Sequence, residues 1–243
     1  MNEAQRRAQY LNALGIQVWT QRNKPVAAAA ETAAATPVPV VQSPGVAARP
    51  AQHDVALLDW TALQQRVASC TACGLHSTRT QTVFGVGNNN AQWMVIGEAP
   101  GADEDRQGEP FVGRAGKLLN EMLRAIGLRR EDVYIANVLK CRPPNNRDPL
   151  PAEVEQCEPY LKRQVALVQP KIILAVGRIA AQNLLQTDIT IGKLRGQQFS
   201  YGGIPLVVTY HPAYLLRSPA EKRKAWDDLC FARGILAGTR VAN

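Results

Sequence analysis

Four short segments of the chain are almost continuously apolar. They lie at 92–97, 133–139, 171–176 and 205–210. β-rich runs of this length are typical of parallel strands that helices cover on both faces. Segments with helical periodicity lie around these runs, at 56–69, 114–127, 151–168, 178–186 and 219–237. The alternation of strand and helix predicts an α/β fold with a parallel sheet and helices on both of its faces.

The beginning of the chain has a different pattern. Residues 1–24 predict an amphipathic helix, because four apolar residues recur there at helical spacing. Residues 25–52 consist largely of Ala, Val, Pro and Thr and predict an extended linker. The helix could dock on the folded domain, bind a protein partner or be disordered. The folded domain is predicted to span 53–238, with a short tail at 239–243.

The overall composition narrows the class of protein. Hydrophobic residues make up 46% of the 243 residues, which is ample for a core. The net charge of +8 favours a polyanionic partner, although a basic surface that maintains solubility gives the same balance. The chain begins with a polar segment and lacks a long apolar run, so we expect neither a secretory signal nor a membrane span.

Four of the five cysteines have a spacing that suggests metal ligation. Cys70 and Cys73 form a Cys-x-x-Cys pair, while Cys141 and Cys157 are single cysteines farther along the chain. In a reduced compartment, such cysteines bind metal more often than they form disulfides. The spacing leaves three alternatives open: an iron–sulfur cluster, a zinc ion, or unligated core cysteines. Cys230 is predicted to be a core thiol.

Residues with functional side chains follow the carboxyl ends of the predicted strands. Glu98 follows the first strand, Asn137 lies late in the second, Arg178 comes soon after the third and His211 follows the fourth. These ends form the ligand crevice of open parallel sheets. Structural alternatives are a solvated Glu98, an Asn137 satisfied by the backbone and a structural His211. As functional groups, Asn137 would recognise a donor beside an acceptor, and His211 would donate to an oxygen that gains negative charge.

Three further segments suit nucleic-acid binding. The glycine-rich segment 108–116 leads into a helix start of the kind that binds phosphate, and its Phe111 suits either the core or an aromatic platform for a base. The segment 140–147 is basic and is predicted to be exposed. The segment 214–217 contains Leu residues beside an Arg, which suit a wedge that enters a duplex and suit helix packing equally well.

These segments resemble those of the family 4 uracil-DNA glycosylases. The resemblance covers about residues 60–237 and depends on Gly97-Glu-Ala-Pro-Gly101 with Glu104-Asp105, Pro110-Phe-Val-Gly113, Asn137-Val-Leu-Lys-Cys-Arg-Pro-Pro144 and His211-Pro-Ala-Tyr-Leu-Leu-Arg217. It implies an α/β/α sandwich around a four-stranded parallel sheet. It also implies removal of uracil from single- or double-stranded DNA, which starts base excision repair. We expect a monomeric, cytoplasmic and nucleoid-associated enzyme.

The resemblance also implies a cofactor and site residues. A [4Fe–4S] cluster is expected on Cys70, Cys73, Cys141 and Cys157. The residues expected to bind uracil are Gly97, Glu98, Ala99, Asp103, Phe111, Asn137 and His211. Among them Phe111 would stack on the flipped base, Asn137 would read its edge, and His211 would face O2. We expect His211, Asn137 and Glu98 to be catalytic. The residues expected to contact DNA are Lys140, Arg142, Arg147, Leu215, Leu216 and Arg217.

One position departs from related glycosylase families, in which an Asp that activates water stands where this chain has Ala99. The general-base contribution, typically ~10²–10⁴-fold, is therefore expected to be missing or to come from another group. Asp103, Glu104 and Asp105 are nearby candidates. The segment 142–151 contains no His of the kind that traps uracil covalently in some relatives, so we expect turnover.

Two other classes of protein fit part of the sequence. A non-catalytic DNA-binding module of the same fold would have the basic surface and the cluster but would lack Asn137 or His211, and both are present. A zinc-stapled nucleotide-binding protein would be colourless when purified, whereas a [4Fe–4S] protein is brown.

Overall fold

The computed structural model describes residues 52–238. Predictions for residues 1–24, for the linker up to residue 51 and for the tail 239–243 lie outside the described residues. The α-helices within this range are α1 (Gln52–Leu57), α2 (Trp60–Ala68), α3 (Ala102–Gln107), α4 (Arg114–Ala125), α5 (Pro151–Val168), α6 (Arg178–Leu185), α7 (Ile191–Leu194), α8 (Pro212–Arg217) and α9 (Lys222–Leu236). The strands are β1 (Val86–Gly87), β2 (Trp93–Gly97), β3 (Tyr134–Asn137), β4 (Ile172–Val176), β5 (Gln198–Tyr201) and β6 (Ile204–Thr209). No helix in this part of the chain has the length and apolarity needed to cross a membrane.

The strands form one six-stranded sheet in the order β1-β3-β2-β4-β6-β5. The four inner strands pair in parallel, and each edge strand pairs antiparallel with its neighbour. The predicted count of four strands is therefore wrong for the whole sheet. β1 has only two residues, and β5 alternates between exposed and partly buried positions, so neither has the continuous apolar run that marks the inner strands.

Alternate residues of the inner strands pack on opposite faces of the sheet. Trp93 and Val95 of β2 pack in the cluster that includes α4, α8 and α9, whereas Met94 and Ile96 pack in the cluster that includes α5 and α6. Helices therefore cover both faces, as the unbroken apolar runs predict. A third buried cluster joins α2 to α5 and contains two of the cysteines.

Local contacts fix the start of α5, whose bounds agree with the predicted helix 151–168. Pro151 occupies a first-turn position, where a missing N–H is tolerated. Glu153 accepts a hydrogen bond at 2.8 Å from the main-chain N–H of Leu150 and pairs with Arg147 at 2.6 Å. These contacts hold α5, and with it Cys157, against the segment that follows β3.

The prediction of a core thiol at Cys230 is wrong. The buried face of α9 consists mainly of small and apolar residues such as Ala225, Leu229 and Ala232. Trp226, one turn before Cys230, is 43% exposed, and Cys230 itself is only partly buried. The two residues share a helix face, as the spacing indicates, but that face lies at the rim of the core.

Candidate functional site

An open cavity of about 480 Å³ lies where the inner strands end. Its lining consists of Glu98, Ala99, Gly101, Glu104, Phe111, Ala115, Asn137, Asn146, Asp148, His211, Ala213, Tyr214 and Arg217. Glu98 follows β2, Asn137 ends β3 and His211 comes after β6, so the sheet topology brings together residues that are distant in sequence. This edge is where open α/β sheets bind ligands.

The side-chain oxygen of Asn137 lacks a hydrogen-bond partner among the residues that the structure describes. The residue is 2% exposed, and its Oδ1 accepts no hydrogen bond among the described residues. A buried polar atom left unpaired costs roughly 1–3 kcal/mol, so this oxygen is suited to a ligand that donates to it. Gly97 lies opposite Asn137 in the sheet. A side chain at Gly97 would collide with Asn137 Oδ1 and would approach Cζ of Phe111 to 2.6 Å.

The ring of Phe111 is held beside His211 by an unusual backbone conformation. Phe111 has a φ of 54°, in the left-handed region that a bulky residue adopts only where its surroundings enforce it. Arg130 donates to the carbonyl oxygens of Phe111 and the preceding residue, at 3.3 and 2.6 Å. Glu104 accepts from the next two main-chain N–H groups, at 3.0 and 3.3 Å. The Phe111 and His211 rings stack with centroids 5.6 Å apart and planes inclined at 29°.

The imidazole of His211 has a defined tautomer. Its Nδ1 accepts a hydrogen bond from the main-chain N–H of Ala213 at 3.1 Å, so the proton of the neutral ring resides on Nε2. Burial and the nearby Arg217 lower the pKa of His211 to about 4, against an opposing effect of Glu104. His211 is therefore a neutral hydrogen-bond donor near pH 7.

The carboxylate of Glu98 at the cavity is affected by burial and by the charge of Asp148. Burial, and next the charge of Asp148, raise the pKa of Glu98 to about 7, while Arg178 lowers it. Asp148 pairs with Arg178 at 2.8 Å. Both Asp148 and Asn146 reach the cavity from the segment after β3, and the sequence analysis did not predict them as site residues. The Pro-Pro-Asn-Asn run that ends at Asn146 indicates a turn but not the direction in which its side chains point.

Two of the predicted uracil-binding residues, Asp103 and Gly97, do not line the cavity. The carboxylate of Asp103 pairs with Arg106 on the same helix, α3. Glu104, the next residue of α3, lines the cavity and accepts a hydrogen bond from the loop that contains Phe111. Gly97 lies behind the lining, where its missing side chain leaves room for Asn137 and Phe111.

Two residues predicted to contact DNA are buried. Lys140 is 1% exposed, and its Nζ donates to the main-chain oxygen of Asn137 at 2.7 Å and to Oε1 of Gln164 at 2.6 Å. Leu215 is also 1% exposed and packs in the core. The prediction that they reach DNA is therefore wrong, because a lysine that begins a basic segment and a leucine beside Arg217 look exposed in sequence alone.

The other residues predicted to contact DNA lie at least partly at the surface. Leu216 is 36% exposed, and Arg217 lines the cavity. Arg142 donates from Nε to Oδ1 of Asn146 at 2.8 Å. Arg147 forms the ion pair with Glu153 that holds the start of α5. The basic segment after β3 is thus partly engaged in holding its own structure.

The four cysteines predicted as ligands line a single small cavity: Cys70, Cys73, Cys141 and Cys157. Cys141 and Cys157 are buried, and the other two are partly buried. Among residues 52–238, no three His, Cys, Asp or Glu side chains converge closely enough to hold one metal ion. A structural zinc needs four ligands around one centre, whereas each cysteine of a [4Fe–4S] cluster binds a different iron. Both kinds of centre need the four cysteines together, and the shared cavity brings them together.

Hydrogen-bond donors also face these sulfurs. Arg79 donates from Nη1 to Sγ of Cys141 at 3.1 Å, and the main-chain N–H of Lys140 donates to Sγ of Cys157 at 3.2 Å. N–H donors of this kind stabilise and tune metal-bound thiolates. Burial raises the pKa of both thiols.

The large cavity combines an aromatic ring, a buried amide and a neutral imidazole, a set that suits a planar nucleic-acid base. The family model described as the uracil DNA glycosylase superfamily matches residues 84–230. A type-4 uracil-DNA glycosylase of Archaeoglobus fulgidus is 53% identical over 172 residues, which is 68% of this chain and 86% of that protein. The chain therefore belongs to the uracil-DNA glycosylase superfamily and, within it, to the type-4 family.

Two further relatives support this assignment. The type-4 uracil-DNA glycosylase of Thermotoga maritima is 48% identical over 162 residues, covering 66% of this chain and 84% of that protein. That of Pyrobaculum aerophilum is 43% identical over 185 residues, covering 73% and 94%. The resemblance noted in the sequence is confirmed.

Proposed function

We propose that this protein hydrolyses the N-glycosidic bond of uracil in DNA and leaves an abasic site, the first step of base excision repair. Membership of the type-4 uracil-DNA glycosylase family supports this activity. The observation that carries the proposal is the unpaired Oδ1 of buried Asn137 in a cavity beside Phe111 and His211. DNA as substrate is consistent with a cytoplasmic, nucleoid-associated enzyme.

Asn137 selects uracil by the pattern of its hydrogen bonds. Its Oδ1 accepts from N3–H of uracil, and its Nδ2 donates to O4. Cytosine has an acceptor at N3 and a donor amine at C4, the reverse pattern. In the buried site, that mismatch would leave groups unsatisfied at roughly 1–3 kcal/mol each. The base is flipped out of the helix before it is read, because its edge is otherwise inside the stack.

His211 stabilises the leaving group. Cleavage of the glycosidic bond leaves positive charge on the sugar and negative charge on uracil. The Nε2–H of His211, fixed by the hydrogen bond that Nδ1 accepts, donates to uracil O2 as that charge develops. Phe111 stacks on the base and aligns it with the imidazole. Glu98 contributes to the electrostatics of the pocket, with its pKa raised to about 7.

The face of the protein around the cavity binds DNA. Arg217 lines the cavity and contacts a phosphate, and the partly exposed Leu216 beside it acts as the wedge that occupies the space of the flipped base. Arg142 and Arg147 add positive charge from the segment after β3 while holding that segment in shape. Lys140 contributes no phosphate contact, because it is buried.

A [4Fe–4S] cluster is held by Cys70, Cys73, Cys141 and Cys157. The fit rests on the shared cavity and on the N–H donors that face the sulfurs. When bound, the cluster cross-links the segments that contribute the four cysteines, as structural metal centres do. Cys70 and Cys73 follow α2, Cys141 follows β3, and Cys157 lies within α5.

The test is excision from a defined oligonucleotide. The purified holoprotein is incubated with strands that contain one uracil, thymine or cytosine, each single and paired, and then treated with alkali to cleave abasic sites. We expect cleavage at uracil and none at thymine or cytosine. Binding of these strands without cleavage at uracil would instead indicate a non-catalytic DNA-binding module.

A further inference from the structure

Lys140 is a buried lysine whose hydrogen-bond acceptors are neutral. Its Nζ donates to the main-chain oxygen of Asn137 and to the side-chain oxygen of Gln164, and no carboxylate among residues 52–238 forms an ion pair with it. A buried charge is unfavourable unless an opposite charge compensates it. The described residues therefore leave the positive charge of Lys140 in need of an anion nearby.

The groups near Lys140 that a bound cluster would make anionic are the cysteine sulfurs. Lys140 lines the same small cavity as the four cysteines, and its main-chain N–H donates to Sγ of Cys157. Four thiolates outweigh the positive charge of the iron–sulfur core, so an assembled cluster is a net anion. Arg79, whose Nη1 donates to Cys141 Sγ, is a second cation that lines this cavity, and it is only partly buried.

Lys140 also holds the residue that reads the base. Its Nζ lies 2.7 Å from the main-chain oxygen of Asn137. The carbonyl oxygen of Lys140 accepts a hydrogen bond from the N–H of Val83 at 2.8 Å. Gln164 extends the network, since its Nε2 donates to Tyr134 Oη at 3.0 Å and to the carbonyl oxygen of Phe84 at 2.9 Å. Lys140 thus connects the cysteine cavity to the end of β3.

We propose that Lys140 is the internal counter-cation of the cluster and the positioning residue that couples the cluster to Asn137 in the uracil pocket. The inference rests on the proposed cluster and adds a partner for its charge. Loss of the Lys140 charge makes an added electron on the cluster less favourable, because net charge and hydrogen bonding set the reduction potential. Loss of the Nζ contact also frees the backbone of Asn137, and misplacement of a recognition group by about 1 Å can lower a rate by up to ~100-fold.

The experiment compares Lys140→Met with wild type and with Lys162→Met. Lys162 is a matched control, because it loses the same charge from the surface of α5, where it is 58% exposed and pairs with Glu158. Iron and acid-labile sulfide are counted first, and the reduction potential of the DNA-free holoprotein is then measured by voltammetry. We expect a more negative potential for Lys140→Met and no shift for Lys162→Met. Single-turnover excision of uracil should slow for Lys140→Met, with unchanged affinity for undamaged DNA.

A second variant covers the case in which Lys140→Met does not assemble a cluster. Gln164→Glu places a carboxylate against Nζ and offsets the charge of Lys140 without removing its side chain. It should shift the potential in the same direction. Equal reduction potentials in an iron-loaded wild type and in both variants would overturn the role of Lys140 but not the proposed cluster. Absence of iron and sulfide from the wild type would overturn the cluster and, with it, this inference.

Discussion

At the scale of single residues, the hydrogen bond from Ala213 N–H to His211 Nδ1 decides which nitrogen can act. It leaves Nε2–H as the donor, and burial keeps the ring neutral by lowering its pKa. A neutral donor avoids a permanent charge in the pocket and still strengthens as the uracil anion forms. The sequence places His211 at the right strand end, but the tautomer and the charge follow only from the folded surroundings.

The lowered pKa of His211 predicts that its contribution to the rate of uracil excision does not depend on pH. Because the pKa is lowered from 6.5 to about 4 by burial and Arg217, with Glu104 opposing, the ring stays neutral between pH 5 and pH 8. The ratio of single-turnover excision rates for wild type and His211→Ala should therefore be constant over that range. A ratio that changes with a midpoint near pH 6.5 would show that His211 titrates normally and that the assigned tautomer is wrong.

Single residues also show where sequence reasoning stops. Asn137 and Phe111 are visible in sequence because a polar residue interrupts an apolar strand and an aromatic residue stands in a glycine-rich loop. The sequence pattern predicts Lys140 and Leu215 at the surface, because lysine is rarely buried and because an exposed wedge and a packed helix share one apolar pattern. Only tertiary packing distinguishes those alternatives.

At the scale of elements, the loop between α3 and α4 shows how a strained ring position is maintained. Arg130 binds two carbonyl oxygens of this loop, and Glu104 binds two of its N–H groups. The left-handed conformation of Phe111 is therefore held from both sides. Arg130 and Glu104 belong to different elements from Phe111, so no helix or strand periodicity in the sequence predicts these contacts. We call this pair of contacts from Arg130 and Glu104 the loop clamp.

The loop clamp predicts that Arg130, which does not line the cavity, affects the rate of uracil excision. Arg130→Met should lower kcat/KM for uracil excision by about 10-fold, because releasing two hydrogen bonds to the loop costs roughly 1–3 kcal/mol and misaligns Phe111. Arg129→Met is the control, since Arg129 is 69% exposed and pairs with Asp132 at the surface. Steady-state kinetics check both variants. Equal losses in the two would indicate a general effect of charge and not a clamp.

Elements differ in how well the sequence predicts them. The four inner strands follow from apolar continuity, and α5 follows from helical periodicity. β1, β5 and α3 do not, because an edge strand or a short charged helix has no apolar period of its own. Such elements form where the larger framework offers them hydrogen-bond partners.

The positions of the cysteines predict that loss of Cys157 lowers the iron content and that loss of Cys230 does not. Cys157→Ala should lose iron and lower the unfolding temperature, because α5 would no longer be cross-linked to the segment after β3. Cys230→Ala should keep full iron, since Cys230 lies on α9, at the rim of the core. Iron analysis and thermal unfolding of both variants check this. Iron loss in Cys230→Ala would mean that the ligand set is misassigned.

At the scale of the whole molecule, the net charge of +8 predicts that DNA binding weakens as the salt concentration rises. Each phosphate contact should contribute about −0.9 to the slope of log K against log[salt] on duplex DNA. Arg217→Ala should reduce the magnitude of that slope by about 0.9 if Arg217 contacts one phosphate. Arg129→Ala should leave it unchanged. Titrations of undamaged duplex at several salt concentrations check the slopes, and a flat response for wild type would exclude the basic surface as the DNA face.

The most direct measurement of the central claim is single-turnover excision of uracil by wild type, His211→Ala, Glu98→Gln and Asn137→Ala on one oligonucleotide. The account predicts that His211→Ala is slower by about 10²–10³-fold and that Asn137→Ala is slower by at least about 10-fold, each with nearly unchanged affinity for undamaged DNA. Glu98→Gln should cost less than His211→Ala. A larger loss in Glu98→Gln than in His211→Ala would mean that the rate depends chiefly on a carboxylate, and wild-type rates in Asn137→Ala would contradict the proposed recognition of uracil.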